Sequence, residues 1–381
     1  MSTLSLLIKP VSGRCNMRCK YCFYNSLADN RSNKVFEVMS ENTLENVVRK
    51  AFIYADECVS FVFQGGEPTL AGMDYYRSLI SLQKKYNIRN IRVLNSIQTN
   101  GYAMDDGWAD FLASNRFLVG LSMDGTKEIH DRNRLNAAGE GTYERVKAAA
   151  EILKRHNAEF NILCVVTKDV AINAAEVYNS LKSYGYLQFI PCIDGFNEGE
   201  QEYSLTAELY GAFLKKTFSL YADDFMRGKY VSVRNFDNYL NILRGFPPEN
   251  CAMCGVCGSY FLIEGDGSCF PCDFYVLDQW KTGNINEQSF MRCERSEAAL
   301  RFVDRSRHVS GECRECRWLN LCRGGCARDR EPFVNGKMSL NRYCESYREL
   351  FNTSFETMRI IAEKISDSEA DVRLLQPQTG L

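Results

Sequence analysis

Between residue 4 and about residue 227 the chain repeats one pattern six times, a short β-rich run followed by a longer stretch with helical spacing. The strand-like runs are 4–9, 59–63, 91–97, 117–122, 160–166 and 187–190. Helical composition falls at 41–56, 73–85, 105–114, 142–156 and 171–183, and a longer stretch at about 205–227 closes the series. Such alternation points to βα units around a parallel sheet. Several of the runs are apolar almost throughout, as strands covered on both faces should be. Six units fit a partial (β/α)6 TIM-like barrel better than a complete eight-unit one, with a doubly wound sheet as the alternative that pattern alone leaves open. In either architecture the chemistry belongs at the carboxyl ends of the strands.

The polar motifs fall at those ends. Cys15 to Cys22 follow the first run, Gln64 to Pro68 the second, Gln98 to Gly101 the third, and Asp124 with Gly125 the fourth. Charge adds a constraint: 46 Lys and Arg against 48 Asp and Glu leave no global field to hold a nucleic acid backbone. No uninterrupted apolar segment approaches the roughly 18 residues that span a bilayer. The opening MSTLSLLIKP lacks the positive start and long apolar run of a secretory signal, so a cytoplasmic location is expected. In that reducing compartment 17 cysteines do not suit a disulfide framework, which leaves metal or cluster ligation as the better account.

Cys15, Cys19 and Cys22 form a C-x3-C-x2-C loop. Three thiolates this close can hold three irons of a cubane cluster and leave the fourth iron free to chelate a small molecule. A structural zinc normally asks four protein ligands, and the only histidines are His130, His156 and His308. In Gly65-Gly66-Glu67-Pro68 the glycines permit close backbone approach and Glu67 can accept a hydrogen bond from an ammonium group. A second set of cysteines comprises Cys251, Cys254, Cys257, Cys269, Cys272, Cys293, Cys313, Cys316, Cys322, Cys326 and Cys344. These eleven suffice for two fully ligated four-iron clusters, with three left over; structural zinc sites are the alternative.

The first loop resembles the signature of the radical S-adenosylmethionine enzymes, with Tyr21 just before the third cysteine as that family usually has it. The whole chain resembles, more closely, the anaerobic sulfatase-maturating enzymes, whose C-terminal region is a twin auxiliary-cluster (SPASM-type) domain. The likeness rests on LSLLIKP, CFYNSLADNR, FQGGEPTLAG, QTNG, FLVGLSMDG with KEIH, FNILCVVT, and PCDFYVLD with GNI.

The resemblance implies three 4Fe-4S clusters and S-adenosyl-L-methionine as cofactors. Cys15, Cys19 and Cys22 would hold the first cluster; Cys251, Cys257, Cys272 and Cys326 one auxiliary cluster; Cys313, Cys316, Cys322 and Cys344 the other. Gly65, Gly66, Glu67, Ser122 and Arg134 would contact the cofactor, while Tyr24, Gln64 and Gln98 would line the peptide site. Asp273, next to Cys272, would be the general base. Cys254, Cys269 and Cys293 have no role in this scheme, and Cys254 offers alternative registers for Cys251 and Cys257. Cys58, Cys164 and Cys192 lie in or beside apolar strands and read as small buried hydrophobes.

The implied activity is oxidation of a sulfatase active-site cysteine, or alternatively serine, to Cα-formylglycine. It begins with hydrogen abstraction by a 5'-deoxyadenosyl radical. The expected partners are a sulfatase polypeptide bearing a C-x-P-x-R or S-x-P-x-R motif and a low-potential electron donor. Thioether formation on a peptide, or a non-enzymatic electron-transfer or zinc-organised module, are the alternatives. The expected domains are a barrel over 1–230, an auxiliary cluster domain with a terminal helix over 231–365, and a tail over 366–381.

Overall fold

All six expected strands form: β1 Thr3–Ile8, β2 Cys58–Phe63, β3 Arg92–Thr99, β4 Phe117–Ser122, β5 Phe160–Val166 and β6 Tyr186–Pro191. The computed structural model describes residues 3–367 apart from 25–26, 28–29, 32–36, 197–198, 259 and 335–336. Each strand pairs in parallel with the next in sequence. Because the order never reverses, every crossover steps the same way round, and the sheet is a partial barrel. A doubly wound sheet would need a reversal at a switch point, and none occurs along β1 to β6.

The crossovers carry helices α1 Glu41–Tyr54, α2 Met73–Tyr86, α3 Asp106–Ser114, α4 Lys127–Asn133, α5 Tyr143–Arg155, α6 Lys168–Ile172 and α7 Ala174–Leu181. Side-chain oxygens set several starts: Ser40 accepts from Thr43 N, Asp105 from Trp108 N and Thr167 from Val170 N. The helix expected over 171–183 is thus two, because Thr167 starts one early and Asn173, at φ −103° and ψ 31°, interrupts the run. Leu4, Leu6 and Ile8 of β1 share one core with Leu44, Val47 and Val48 of α1.

After α8 Ala207–Met226, the two-residue strand β7 Ser232–Val233 extends the sheet beyond β6 and leads into α9 Arg234–Leu243. On the opposite edge, β8 Phe261–Ile263 pairs in parallel with β1, and β9 Ser268–Phe270 and β10 Gly283–Asn284 continue the sheet antiparallel. The cysteine-rich region is therefore joined to the barrel through the sheet itself. The β8–β9 turn is Glu264-Gly265-Asp266-Gly267, with Gly267 at φ +83°.

Short helices α10 Phe290–Glu294, α11 Glu297–Ser306, α12 Gly311–Arg314 and α13 Leu319–Cys322 follow, then a small hairpin of β11 Phe333–Val334 and β12 Lys337–Met338. Last comes α14 Cys344–Asp367, which packs back on α8 and α9. Lys215 and Glu349 pair at 2.7 Å, and the Tyr239 and Phe351 rings meet edge to face at 5.0 Å. Of the expected tail, Ser366 and Asp367 complete α14, and 368–381 lies outside the described residues. No described helix is long and apolar enough to cross a membrane.

Candidate active site and cluster ligands

The chain leaves β1 at Lys9 and enters the cysteine loop through Ser12, which sits at φ +50°. Backbone bonds clamp this entry to the second motif: Gly66 N donates to Ser12 O at 2.8 Å and Glu67 N to Arg14 O at 2.8 Å. A Cβ on Gly66 would lie 2.0 Å from Arg14 O, so no other residue fits there. The close approach that the glycine provides within the protein is to the cysteine loop. On its other side Arg18 N and Lys20 N donate to Leu135 O and Asn133 O at 2.7 and 2.9 Å. Burial pushes the Cys15 and Cys19 thiols up to about 11, with Arg134 opposing the rise at Cys19.

Glu67 is fully buried and takes four hydrogen bonds from the protein. Oε1 accepts from Thr69 N, Thr69 Oγ1 and Thr99 Oγ1 at 3.0, 2.7 and 2.8 Å; Oε2 accepts from Asn100 N at 2.8 Å. Burial raises its proton affinity, and those donors work against the rise. Glu67 thus ties the end of β2 to the end of β3. Asn100 passes the constraint on, its amide donating to Asn16 Oδ1 at 2.8 Å and lying 3.6 Å from Cys15 Sγ.

Asp124, two residues beyond β4, organises the other flank. It accepts from the Tyr21 hydroxyl, from Arg134 Nε at 2.8 Å and from Val165 N at 2.9 Å. Arg134 is therefore held in a buried ion pair, with its guanidinium 5.5 Å from the Tyr21 ring centre. His130 braces the pair: Nδ1 accepts from Asp124 N at 3.2 Å, and Nε2 faces Thr142 Oγ1 at 3.1 Å, which itself donates to Arg134 O. Burial and the Arg134 charge hold this imidazole down to about 4, so it is neutral. Ser122 closes β4 two residues before Asp124.

Three residues from distant segments meet at Asp273. Tyr24 Oη donates to Asp273 Oδ2 at 2.6 Å, and Gln64 Nε2 donates to the same oxygen at 2.8 Å. Lys9 Nζ lies 2.7 Å from Asp273 Oδ1, at an angle that makes the contact ionic rather than a directed hydrogen bond. Gln98 sits on the neighbouring strand β3, opposite Gly120, and has no bond to this cluster. The sequence marked Asp124 and the Gln98–Gly101 run that contains Asn100 as strand-end motifs without a role for either residue, and it did not single out Lys9, although a lysine closing an apolar strand was a visible signal.

The distal cysteines fall into two groups. Burial raises the proton affinities of Cys251, Cys272 and Cys326, and the three thiols, with Cys257, are close enough to raise one another further. Burial pushes Cys322 up to about 12, with Cys344, Cys313 and Cys316 adding to the rise. These last four line one cavity of about 270 Å³ with Trp318 and Tyr347. Among the described residues no three His, Cys, Asp or Glu side chains close around a single ion. Four thiols on one cavity wall are a donor set that fits cluster ligation, a cofactor that must displace their protons on binding.

Of the three remaining cysteines, Cys254 is exposed, and Cys269 and Cys293 are buried near Lys50, their thiols donating to Gly267 O at 3.6 Å and Gln288 Oε1 at 3.8 Å. Cys164 and Cys192 are buried in the barrel core, and Cys58 is partly exposed.

The Radical SAM superfamily matches residues 10–198, and the SPASM iron-sulfur cluster-binding domain matches 246–317. A cysteine-type anaerobic sulfatase-maturating enzyme of Clostridium perfringens is 44% identical over 369 residues, spanning 96% of this chain and 100% of that protein. One from Clostridium novyi is 45% identical, over 96% and 99% of the two chains. The solved structure of native anSMEcpe with bound AdoMet and Cp18Cys peptide superposes with a TM-score of 0.91 at 43% identity, covering 96% of this chain and all of that one. With a barrel that seats a three-cysteine loop and a distal region that gathers two sets of four thiols, the chain belongs to the cysteine-type anaerobic sulfatase-maturating enzymes, radical S-adenosylmethionine oxidoreductases that bind iron–sulfur clusters.

Proposed function

We propose that this enzyme oxidises the cysteine of a sulfatase peptide with a C-x-P-x-R motif to Cα-formylglycine, using three 4Fe-4S clusters held by the eleven cysteines assigned above. The observation that carries the reading is the convergence of Tyr24 and Gln64 on Asp273, one residue from the cluster ligand Cys272. When bound, the first cluster and S-adenosylmethionine supply a carbon-centred radical that takes hydrogen from the target β-carbon, and the auxiliary clusters supply an electron acceptor.

The protein's own groups do the rest. Glu67, through Thr99 and Asn100, holds the cysteine loop against β2 and β3. The Tyr21–Asp124–Arg134 cluster, braced by neutral His130, fixes its far side, and of the set Gly65, Gly66, Glu67, Ser122 and Arg134 at these strand ends, Gly66, Glu67 and Arg134 would act on the cofactor through the loop they hold. Asp273 receives the thiol proton, with Tyr24 and Gln64 orienting its carboxylate. The substrate thereby loses one hydrogen atom from carbon, one proton from sulfur and one electron. The resulting thioaldehyde hydrolyses to the aldehyde with release of hydrogen sulfide. Gln98 would line the peptide path on β3. The domains are best divided near residue 230, with strands β8–β10 as the joint, and a low-potential donor would supply the electrons that the first cluster needs.

The test is anaerobic: reconstituted, reduced protein with S-adenosylmethionine and a short C-x-P-x-R peptide, reading peptide mass and 5'-deoxyadenosine together. Formylglycine with matching deoxyadenosine is expected. Deoxyadenosine with an unchanged or cross-linked peptide would overturn the assigned reaction.

A further inference from the structure

Lys9 stands at a place where a charge is costly. It follows directly on β1, donates its backbone N–H to Ile263 O at 2.8 Å, and is 2% exposed. Its stem runs over Gly65, where a Cβ would lie 2.9 Å from Lys9 Cγ, so a side chain at Gly65 would block its path. The ammonium then reaches Asp273 Oδ1 at 2.7 Å and Glu264 Oε1 at 3.7 Å, and lies 4.2 Å from the Tyr24 ring centre. Glu264 in turn pairs with Arg31 Nη1 at 3.1 Å. The four side chains form a ladder of alternating sign, Arg31–Glu264–Lys9–Asp273, with exposures of 11, 1, 3 and 12%.

A carboxylate turns easily about its last torsion, because an sp³–sp² bond has a broad profile. Tyr24 and Gln64 hold only Oδ2 of Asp273, and two donors on one oxygen leave the plane of the group free to swing. Lys9 acts on the other oxygen. It also bridges the two ends of the β8–β9 hairpin, since Glu264 opens its turn and Asp273 follows its second strand by three residues.

We propose that Lys9 is a positioning residue for the oxidation, pinning the plane of the Asp273 carboxylate and the register of the cluster-bearing hairpin against the first barrel strand. The proposal rests on Asp273 acting as the base. A compact, strongly hydrated ammonium suits two carboxylates arriving from different directions, whereas a guanidinium fork demands a planar bidentate partner.

The test is a double-mutant cycle on the reconstituted enzyme with S-adenosylmethionine and the C-x-P-x-R peptide. Lys9→Met is expected to lower formylglycine turnover about 100-fold at saturating peptide. Peptide KM, iron and sulfide should stay unchanged, and the yield of formylglycine per 5'-deoxyadenosine should fall. In an Asp273→Asn background the same change should add no further loss. Lys9→Arg, which keeps the buried charge, should recover part of the turnover.

Full turnover in Lys9→Met beside an inactive Asp273→Asn would overturn the positioning role and leave the base in place. An equal loss in both backgrounds would show that Lys9 acts elsewhere, and would overturn it too. Iron loss in both Lys9→Met and Lys9→Arg would mark a folding role instead. Normal turnover in Asp273→Asn would remove the base reading itself and the proposal with it.

Discussion

Tyr24 Oη donates to Asp273 Oδ2 across 2.6 Å, joining residues 249 apart in sequence. A buried charge-assisted bond of this kind contributes about 2 kcal/mol, and a general base typically supplies roughly 10²- to 10⁴-fold in rate. Asp273→Asn should therefore keep its iron and sulfide yet slow peptide oxidation by at least about 100-fold. Tyr24→Phe should cost less, on the order of tenfold, because Gln64 still holds the carboxylate. Single-turnover assays with iron quantification check both; unchanged formylglycine production by Asp273→Asn would sink the base assignment.

Gly66→Ala should abolish the seat of the first cluster. The added carbon would sit 2.0 Å from Arg14 O, a backbone atom with nowhere to go. The expected protein retains auxiliary iron, loses the share held by the first loop and makes no 5'-deoxyadenosine. Cys15→Ala should show the same iron deficit and the same silence, since both act on one loop. Continued cleavage of S-adenosylmethionine in either variant would contradict the assignment.

Glu67→Ala leaves two threonine hydroxyls and two backbone N–H groups without their buried acceptor. Losing such a network should cost about 3 kcal/mol, read as a lower Tm. It should also loosen Asn100 from Asn16 and weaken S-adenosylmethionine binding by calorimetry. Unaltered Tm and affinity would show that Glu67 does not tie the two strand ends together.

His130 gives a signed pH dependence. Its folded pKa, lowered by burial and by Arg134 to about 4, lies below the ordinary 6.5. The unfolded chain therefore binds the proton first. Stability from this group is complete above pH 6.5 and declines as pH falls toward 4, by up to about 3 kcal/mol. Around 1 kcal/mol should be gone by pH 5.5. Comparing thermal unfolding of wild type and His130→Gln at pH 7.5 and 5.5 isolates the contribution; parallel pH slopes would refute it.

Cys313→Ala and Cys269→Ala should part company. The first removes a thiol from the cavity wall shared with Cys316, Cys322 and Cys344, and iron should fall. The second removes a buried thiol beside Lys50 that donates to Gly267 O at 3.6 Å, and iron should stay. Iron loss from Cys269→Ala would bring that residue into a cluster.

Much of this arrangement was legible in the chain itself. Parallel βα order, the early C-x3-C-x2-C loop and the motifs at strand ends follow from periodicity and spacing, which are local properties. The helix break at Asn173 was not legible, because Thr167 caps the preceding segment and apolar spacing runs across both. Helix α4 was missed because seven polar-rich residues carry little periodicity; its buried Ile129 and His130 matter only once Asp124 and Arg134 stand beside them.

Sequence alone determined the barrel units and pointed to metal or cluster ligation, because strand pattern and thiol spacing constrain what a few adjacent residues can bury or bind, and the family came from the resemblance of its motif runs. Only the tertiary structure decided that Gly66 exists for the cysteine loop, that Glu67 spends its oxygens on Thr69, Thr99 and Asn100, and that Lys9 reaches Asp273. Those are contacts between segments tens to hundreds of residues apart. Their energies depend on desolvation and angle, which no local pattern encodes until the sheet brings the segments together.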